Sequence, residues 1–396
     1  MIENEGIILW TNLFPEKRKE EYYLLLLLAT LGAGVMVIST HFISLFVSLE
    51  ILNISLYTLI SYYRERIKAI EAGLKYLVLA AASSAFLLFG MALIYMITGS
   101  MTFHAMSLIT ASLTSSSTMI LVTGTGMMMV GIGFKLGLVP FHMWTPDVYE
   151  GASSPISAFI ATISKGAMAM VLLRFFMMTN LYRFENIMLV FTVIAILSMW
   201  IGNLLALLQN NVKRILAYSS IAHFGYFLVA FIAGNEMGPQ AATFYVTAYI
   251  ITILGAFGII TMLSQSDEEA NSIENYQGLF WRKPLLAAVF TIILLSLAGI
   301  PLTVGFMGKY YLLLSGVGNS SWLLVFTLVL SSVIGLYYYL RLIASMMKQG
   351  DEIISNKMPS NISFIAGFGI LAILGILVVW LGISPSWLVD GIKSLW

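Results

Sequence analysis

Cysteine is missing altogether from this 396-residue chain, which excludes disulfides, iron–sulfur clusters and thiolate metal sites within it. Charge is scarce as well: 10% of residues are Asp, Glu, Lys or Arg, histidines number 4, and the net charge is +1. Basic residues so dispersed offer no dense cationic face to a phosphate backbone, so nucleic acid is not a partner. The start, "MIENEGIILWTNLFPEKRKEE", has neither the cationic opening nor the small-residue cleavage site of a signal peptide. Residues 1–21 therefore read as an interfacial N-terminal segment of the mature chain.

Apolar residues fill the space. They make up 59% of the chain, with a mean hydropathy of +0.92. No soluble core could hide that much apolar surface, so the solvent is lipid. A bilayer core of about 30 Å takes about 20 apolar residues per helix. The sequence divides into about eleven such segments, at 22–40, 42–63, 70–98, 117–145, 155–179, 185–208, 212–233, 239–264, 285–315, 322–347 and 361–381. The expected fold class is all-α, a polytopic membrane protein with no separate soluble domain.

Lys and Arg gather on the cytoplasmic or matrix side of a membrane. With the N-terminus inside, Lys17, Arg18, Lys19, Arg64, Arg66, Lys68, Lys213, Arg214, Arg282, Lys283, Lys348 and Lys357 all fall inside, leaving little outside beyond Arg183 and Lys393. A helix miscounted by one would scramble this sorting.

Five ionisable residues remain deep in the apolar segments: Glu50, Lys135, Lys165, His223 and Lys309. A charge at the bilayer centre costs about 2.5 to 3.5 kcal/mol on insertion scales, so each must face a partner, a water-filled cavity or a transport path. The plain alternative is a buried pair that fixes helix packing, or a Lys snorkelling to an interface. At about 1.5 Å per residue, Lys165 lies roughly 15 Å beyond Pro155, near the midplane, and His223 lies as far beyond Lys213. Lys135 falls on the inner half and Lys309 within a few turns of the outer end, so the set spans the bilayer. A spanning series of titratable groups suits a hopping cation, above all a proton. His223 is either a relay or a hydrogen-bonded packing residue, and His142, beside Pro140 and Trp144, caps a helix break.

Breaks are expected at two places. "GIGFKLGLVPFHMW" sets Pro140 just after Lys135, and "LAGIPLTVGFMGKYY" sets Gly299, Pro301, Gly305 and Gly308 just ahead of Lys309. Proline removes a backbone donor and clashes with the preceding turn, and non-helical backbone at membrane depth is tolerated only inside protein or along a cavity. Two interrupted helices, one in each half and each with a Lys, point to a transporter built from inverted repeats; ordinary proline kinks are the alternative.

The stretches "GIGFKLGLVPFHMWTPDVYEGASSPISAFIATISKGA", "EAGLKYLVLAAASSAFLLFGMALIYMITG", "VKRILAYSSIAHFGY" and "AGIPLTVGFMGKYYLL" closely resemble subunit N, or subunit 2, of the proton-pumping NADH–quinone oxidoreductases, respiratory complex I. The resemblance runs from about residue 22, and "TPDVYEGA" with "EAGLKY" favours subunit N over its antiporter-like sisters L and M. It implies two inverted five-helix repeats with two discontinuous helices: a first repeat over 22–180, a second over 181–350, and a C-terminal helix and tail over 351–396. It makes Glu50 and Lys135 the paired acid and base of the inner half-channel, Lys165 the central lysine, Lys309 the outer lysine and His223 a linking histidine. Lys75 matches a further family lysine, although its depth alone reads as an interfacial snorkeller.

The same resemblance implies a chain with no cofactor of its own, with NAD, FMN, iron–sulfur clusters and quinone in other subunits. Its neighbours would be M-type and small K-type membrane subunits, in the cell inner (cytoplasmic) membrane rather than the mitochondrial one. Bacterial members usually have fourteen helices, and this chain starts where the fourth would stand. Rival readings are a subunit of a multi-subunit cation/proton antiporter, a non-conducting scaffold, and an enzyme with its own quinone pocket. A topology reporter tests the helix count. Fused after Arg66 it is expected to read inside and near Ser112 outside; the same side for both would mean a miscounted helix.

Overall fold

The computed structural model describes residues 19–109, 115–234, 237–264, 269–348 and 362–396. Lys17 and Arg18 of the N-terminal segment, together with Ser112 and Lys357, lie outside these residues. The apolar runs become helices because backbone N–H and C=O groups in hydrocarbon must pair within their own segment. The chain opens with α1 (Lys19–Ile38), α2 (Phe42–Ile60) and α3 (Ile67–Thr98), followed by the short α4 (Phe103–Ile109). Helix α5 (Ser115–Leu136) stops at the "GLVPF" stretch and the chain resumes as α6 (Trp144–Gly151). Helix α7 covers Ser154–Thr179, with a π-helical turn at Ile160–Ser164 directly before Lys165.

The second half repeats the plan. After α8 (Glu185–Leu207), α9 (Val212–Ala233) and α10 (Met237–Leu263), the next apolar segment is split into α11 (Pro284–Ala298) and α12 (Val304–Gly318). Helices α13 (Trp322–Met347), α14 (Ile362–Ile383) and α15 (Ser386–Lys393) complete the chain. Among the described residues, 10 helices are long and apolar enough to cross a membrane, and α11 with α12 supplies the further crossing that the sequence predicts. Both expected breaks are present.

Packing follows one order in each half. Helix α1 packs on α2 and α7, and α3 on α5; likewise α8 packs on α9 and α13, and α10 on α11 and α12. Burial of 94% along α9, against 28% for α1 and α14, makes α9 the central helix, so its polar side chains face protein and not lipid. Outward positions are apolar, with Leu27 70%, Ile38 69% and Ile376 69% exposed.

Ion pairs settle which loops share a face. Glu269 takes Lys213 at 2.6 Å and Arg66 at 3.3 Å, Arg214 reaches Asp147 and Glu150 at 2.9 Å each, and Lys68 holds Glu150 at 2.8 Å. These residues come from the α2–α3 connection and the start of α3, from α6, from the start of α9 and from the α10–α11 connection, so alternate helix ends meet as the charge sorting requires. On the opposite face His41 pairs with Thr102, and the Trp396 indole donates to Thr243. Lys75 proves interfacial: 44% exposed, it pairs with Glu71 at 2.6 Å and Asp147 at 2.8 Å. Two arginines that the sorting omitted, Arg174 and Arg341, cap helix ends. Arg174 donates to Val37 O of α1 at 2.5 Å, and Arg341 to Leu207 O at the end of α8 and to Gln209 O. A guanidinium on C-terminal carbonyls satisfies orphan acceptors and complements the helix dipole.

Helix α6, outside the spans, is held by this charge cluster. Burial pushes the Asp147 and Glu150 carboxyls up, but hydrogen bonds from Lys75 and Arg214 to the first, and from Lys68 and Arg214 to the second, bring both below the usual carboxylate range. Carboxyls with depressed native values contribute stability that is fully present above their unfolded values, about 4, and is lost as pH falls through the native ones. Thermal stability in detergent should therefore hold from pH 7 to about 5 and drop below about 4. An Asp147→Asn/Glu150→Gln double variant should be less stable at pH 7 and lose much of that acid dependence, and an unchanged profile would remove the clamp.

Candidate functional site

Glu50 and Asn53 sit one turn apart on α2, and Ser84 and Tyr76 face them from α3. Ser84 Oγ donates to Glu50 Oε1 at 2.5 Å, and Asn53 Nδ2 donates to the same oxygen at 3.2 Å. Lys135, near the end of α5 and 2% exposed, donates to Asn53 Oδ1 at 2.7 Å and Tyr76 OH at 2.8 Å. The acid and base expected as a pair are thus joined through Asn53. Glu50 is half-buried and faces α3.

Several backbone groups at the first break find partners within the protein. Phe134 O, freed by the end of α5, accepts from the Trp144 indole at 2.8 Å and from Gly137 N at 2.9 Å. Val139 N donates to Ser198 Oγ of α8 at 3.0 Å. His142 contributes its carbonyl to Thr145 N at 2.9 Å, which starts α6. Its buried ring leaves Nδ1 without a hydrogen bond. Three carbonyls flanking the break, Gly133 O, Phe134 O and His142 O, are thus engaged within the protein, where an unpaired acceptor is costly.

Lys165 is fully buried. Its ammonium donates to Ser220 Oγ of α9 at 2.8 Å and lies over the rings of Trp144, Tyr149 and Phe224 at 5.6, 5.4 and 5.4 Å. Ser220 also receives Tyr249 OH at 2.8 Å. One turn on, His223 joins Tyr245 OH at 2.6 Å and Tyr339 OH at 3.4 Å. Beyond it Tyr226 OH accepts from Asn203 at 2.7 Å, and Asn203 accepts from Tyr338 at 3.0 Å.

Lys309, 7% exposed, sits on α12 with its ammonium 5.3 Å from the Tyr226 ring centre. It donates to Ala298 O at 2.8 Å, Leu297 O at 3.3 Å and Ser332 Oγ at 2.7 Å. Two of these acceptors are the terminal carbonyls of α11, so the lysine closes the second break. The five predicted residues thus fall in two groups on either side of the Tyr76 and Trp144 rings, whose centres are 5.0 Å apart. Glu50 and Lys135 lie on one side. Lys165, His223 and Lys309 line a hydroxyl-rich core around α9 on the other.

Sequence reasoning missed Asn53, Ser84, Ser220 and the tyrosines. Helical spacing was the available signal: Asn53 follows Glu50, and Ser220 precedes His223, by one turn. Among the described residues no group of three or more His, Cys, Asp or Glu side chains is placed to hold a metal ion.

Residues 39–335 match the family model described as NADH:quinone oxidoreductase/Mrp antiporter, TM. The NADH-quinone oxidoreductase subunit N of Ectopseudomonas mendocina is 46% identical over 379 residues, 95% of this chain and 76% of that protein. Respiratory complex I from Thermus thermophilus contains a chain of similar fold, with a TM-score of 0.82 and 32% identity over 97% of this chain and 83% of that one. An archaeal membrane-bound sulfane sulfur reductase has one at 0.85 and 28%, covering 96% and 77%. The Mrp complex from Dietzia sp. has one at 0.81 and 20%, covering 92% and 75%, a likeness of fold alone.

Both breaks place a left-handed glycine against a lysine. A Cβ on Gly137 (φ +72) would stand 2.6 Å from Thr145 Oγ1 and 2.9 Å from Lys165 Nζ; one on Gly299 (φ +85) would stand 3.0 Å from Lys309 Nζ. Gly137→Ala should therefore lower the stability of the purified protein by about 1–2 kcal/mol for the backbone alone, and more if Lys165 cannot give way. Gly34→Ala, which meets nothing within 4 Å, is the neutral control. Equal melting temperatures for the two variants would show that Lys165 does not need the vacant Cβ space.

Proposed function

We propose a proton-translocating role for this chain, which belongs to the NADH:quinone oxidoreductase/Mrp antiporter family of membrane subunits. The chain is a multi-pass membrane subunit of the complex I type, and it works beside other membrane subunits. The observation that carries the reading is the series of half-buried Glu50 and buried Lys135, Lys165, His223 and Lys309 on membrane-length helices, each engaged by hydroxyls, amides or carbonyls. Charges so costly to bury are kept where they do work.

Quinone reduction in other subunits changes the charge near Glu50, which is only half-buried within this chain. Glu50 and Lys135 respond, and the altered field at Lys165 shifts its protonation across the Tyr76–Trp144 contact. A proton released at Lys165 leaves by way of Ser220, whose hydroxyl accepts from both Lys165 Nζ and Tyr249 OH and rotates to donate before the proton moves on towards His223 and Lys309. Field strength in a low-dielectric interior makes such coupling effective over several ångströms. NAD, FMN, iron–sulfur clusters and quinone belong to other subunits in this reading. M-type and small K-type subunits flank the chain in the cell inner membrane. The 46% identity to an oxidoreductase subunit favours it over a cation/proton antiporter, for which the 20% likeness speaks only to fold.

Lys165→Ala tests the role in complex reconstituted into sealed vesicles. Assembly should persist, proton pumping should fall about tenfold or more, and quinone reduction should fall with it if coupling is tight. Lys165→Arg should rescue poorly, because a guanidinium with a pKa above about 12 does not give up its proton. A packing role predicts the reverse, with Arg tolerated and Ala lowering assembly. Wild-type pumping by Lys165→Ala would sink the proposal.

A further inference from the structure

Asn53 is 2% exposed and lies between the only acid and the first base of the series. Its amide donates to Glu50 Oε1 at 3.2 Å and accepts from Lys135 Nζ at 2.7 Å. The orientation is dictated by charge: turned over, it would point its oxygen at the carboxylate and its NH2 at the ammonium, two repulsive contacts. Ser84 holds the carboxylate from α3 and Tyr76 holds the ammonium, so both ends of the bridge are fixed independently of it.

We propose that Asn53 is a positioning residue that keeps Glu50 and Lys135 one amide apart, so that the carboxylate acts on the lysine through its field and never closes onto it as a contact ion pair. The assignment rests on the proton-translocating reading above. An amide neither releases nor takes up a proton in this range, so the bridge carries polarisation and not protons. A direct carboxylate–ammonium contact in a dry interior would be held by charge-assisted hydrogen bonds, and Lys135 would stop answering changes at Glu50. The neutral spacer leaves the pair responsive.

Asn53→Asp is the isosteric test, because it keeps shape and an acceptor for Lys135 while placing a carboxylate in contact with it. In assembled complex in sealed vesicles, Asn53→Asp should lower pumping and quinone reduction together by about tenfold or more. Asn53→Gln, which keeps a neutral amide, should stay within about threefold of the parent. Glu50→Gln/Asn53→Asp preserves the net charge of the site but puts its one carboxylate in contact, so it should be as slow as Asn53→Asp. If Asn53→Asp fails to assemble, that double variant carries the test. A purely structural Asn53 predicts that the isostere is tolerated and the longer Gln is not. Near-parental turnover in Asn53→Asp or in the double variant would overturn the proposal. Lys165→Ala in the same vesicles separates the two ideas: if it pumps normally the translocation reading fails, whereas if it stalls while Asn53→Asp runs, only the spacer assignment fails.

Discussion

Inside hydrocarbon every polar group must find its partner within the protein, and in this chain the two most expensive kinds of group solve each other's problem. A broken helix leaves carbonyls without donors, and a buried lysine brings donors without acceptors. Lys309 meets Leu297 O and Ala298 O at the end of α11, so one contact closes the break and solvates the ammonium. At the first break the Trp144 indole takes Phe134 O, which leaves Lys165 to be surrounded by rings and a hydroxyl. At the second break, then, the interruption and the intramembrane cation are a single feature, whereas at the first the two are satisfied separately.

That difference between the breaks sorts the three lysines by what surrounds them. Lys309 has an acceptor for each ammonium hydrogen, and two of the three are backbone carbonyls that cannot reorient. Lys135 has an amide oxygen and a phenol. Lys165 has one hydroxyl and three aromatic faces. A hydroxyl can rotate from acceptor to donor and aromatic faces need no reorganisation at all, so a change of protonation at Lys165 demands the least movement of its surroundings.

Much of the fold was legible because the bilayer imposes so few solutions. Segment length, the sorting of Lys213, Arg214 and Arg282 to one side, and the prolines at 140 and 301 each register a constraint that acts along the chain. Contacts between segments were less readable. Asn53 and Ser220 are ordinary polar residues in an apolar run, and only the packing of α2 on α3 and α5, and of α9 on α7, shows that one joins Glu50 to Lys135 and the other reaches Lys165. Lys75 shows the reverse: family likeness marks it out, while its exposure and its pairing with Glu71 and Asp147 place it at the interface. The engaged carbonyls at the breaks escaped for the same reason, since their donors, Trp144 and Lys309, lie on the far side of each interruption.

One element connects the charged surface to the midplane site. Helix α6 is only 8 residues long, about 12 Å at 1.5 Å per residue. Its Trp144 end touches the Tyr76 ring and lies under the Lys165 ammonium. Asp147 and Glu150 further along are gripped by Lys68, Lys75 and Arg214, and the carbonyl of Glu150 receives buried Lys213. A helix of about two turns cannot bend much, so it moves as a unit or not at all. Its ion pairs tie it to α3 and α9, the helices that carry Tyr76 and Ser220, one partner of Lys135 and one of Lys165. These charges therefore hold in one frame the two helices that carry partners of Lys135 and Lys165, and the Trp144 ring that stands between the two lysines.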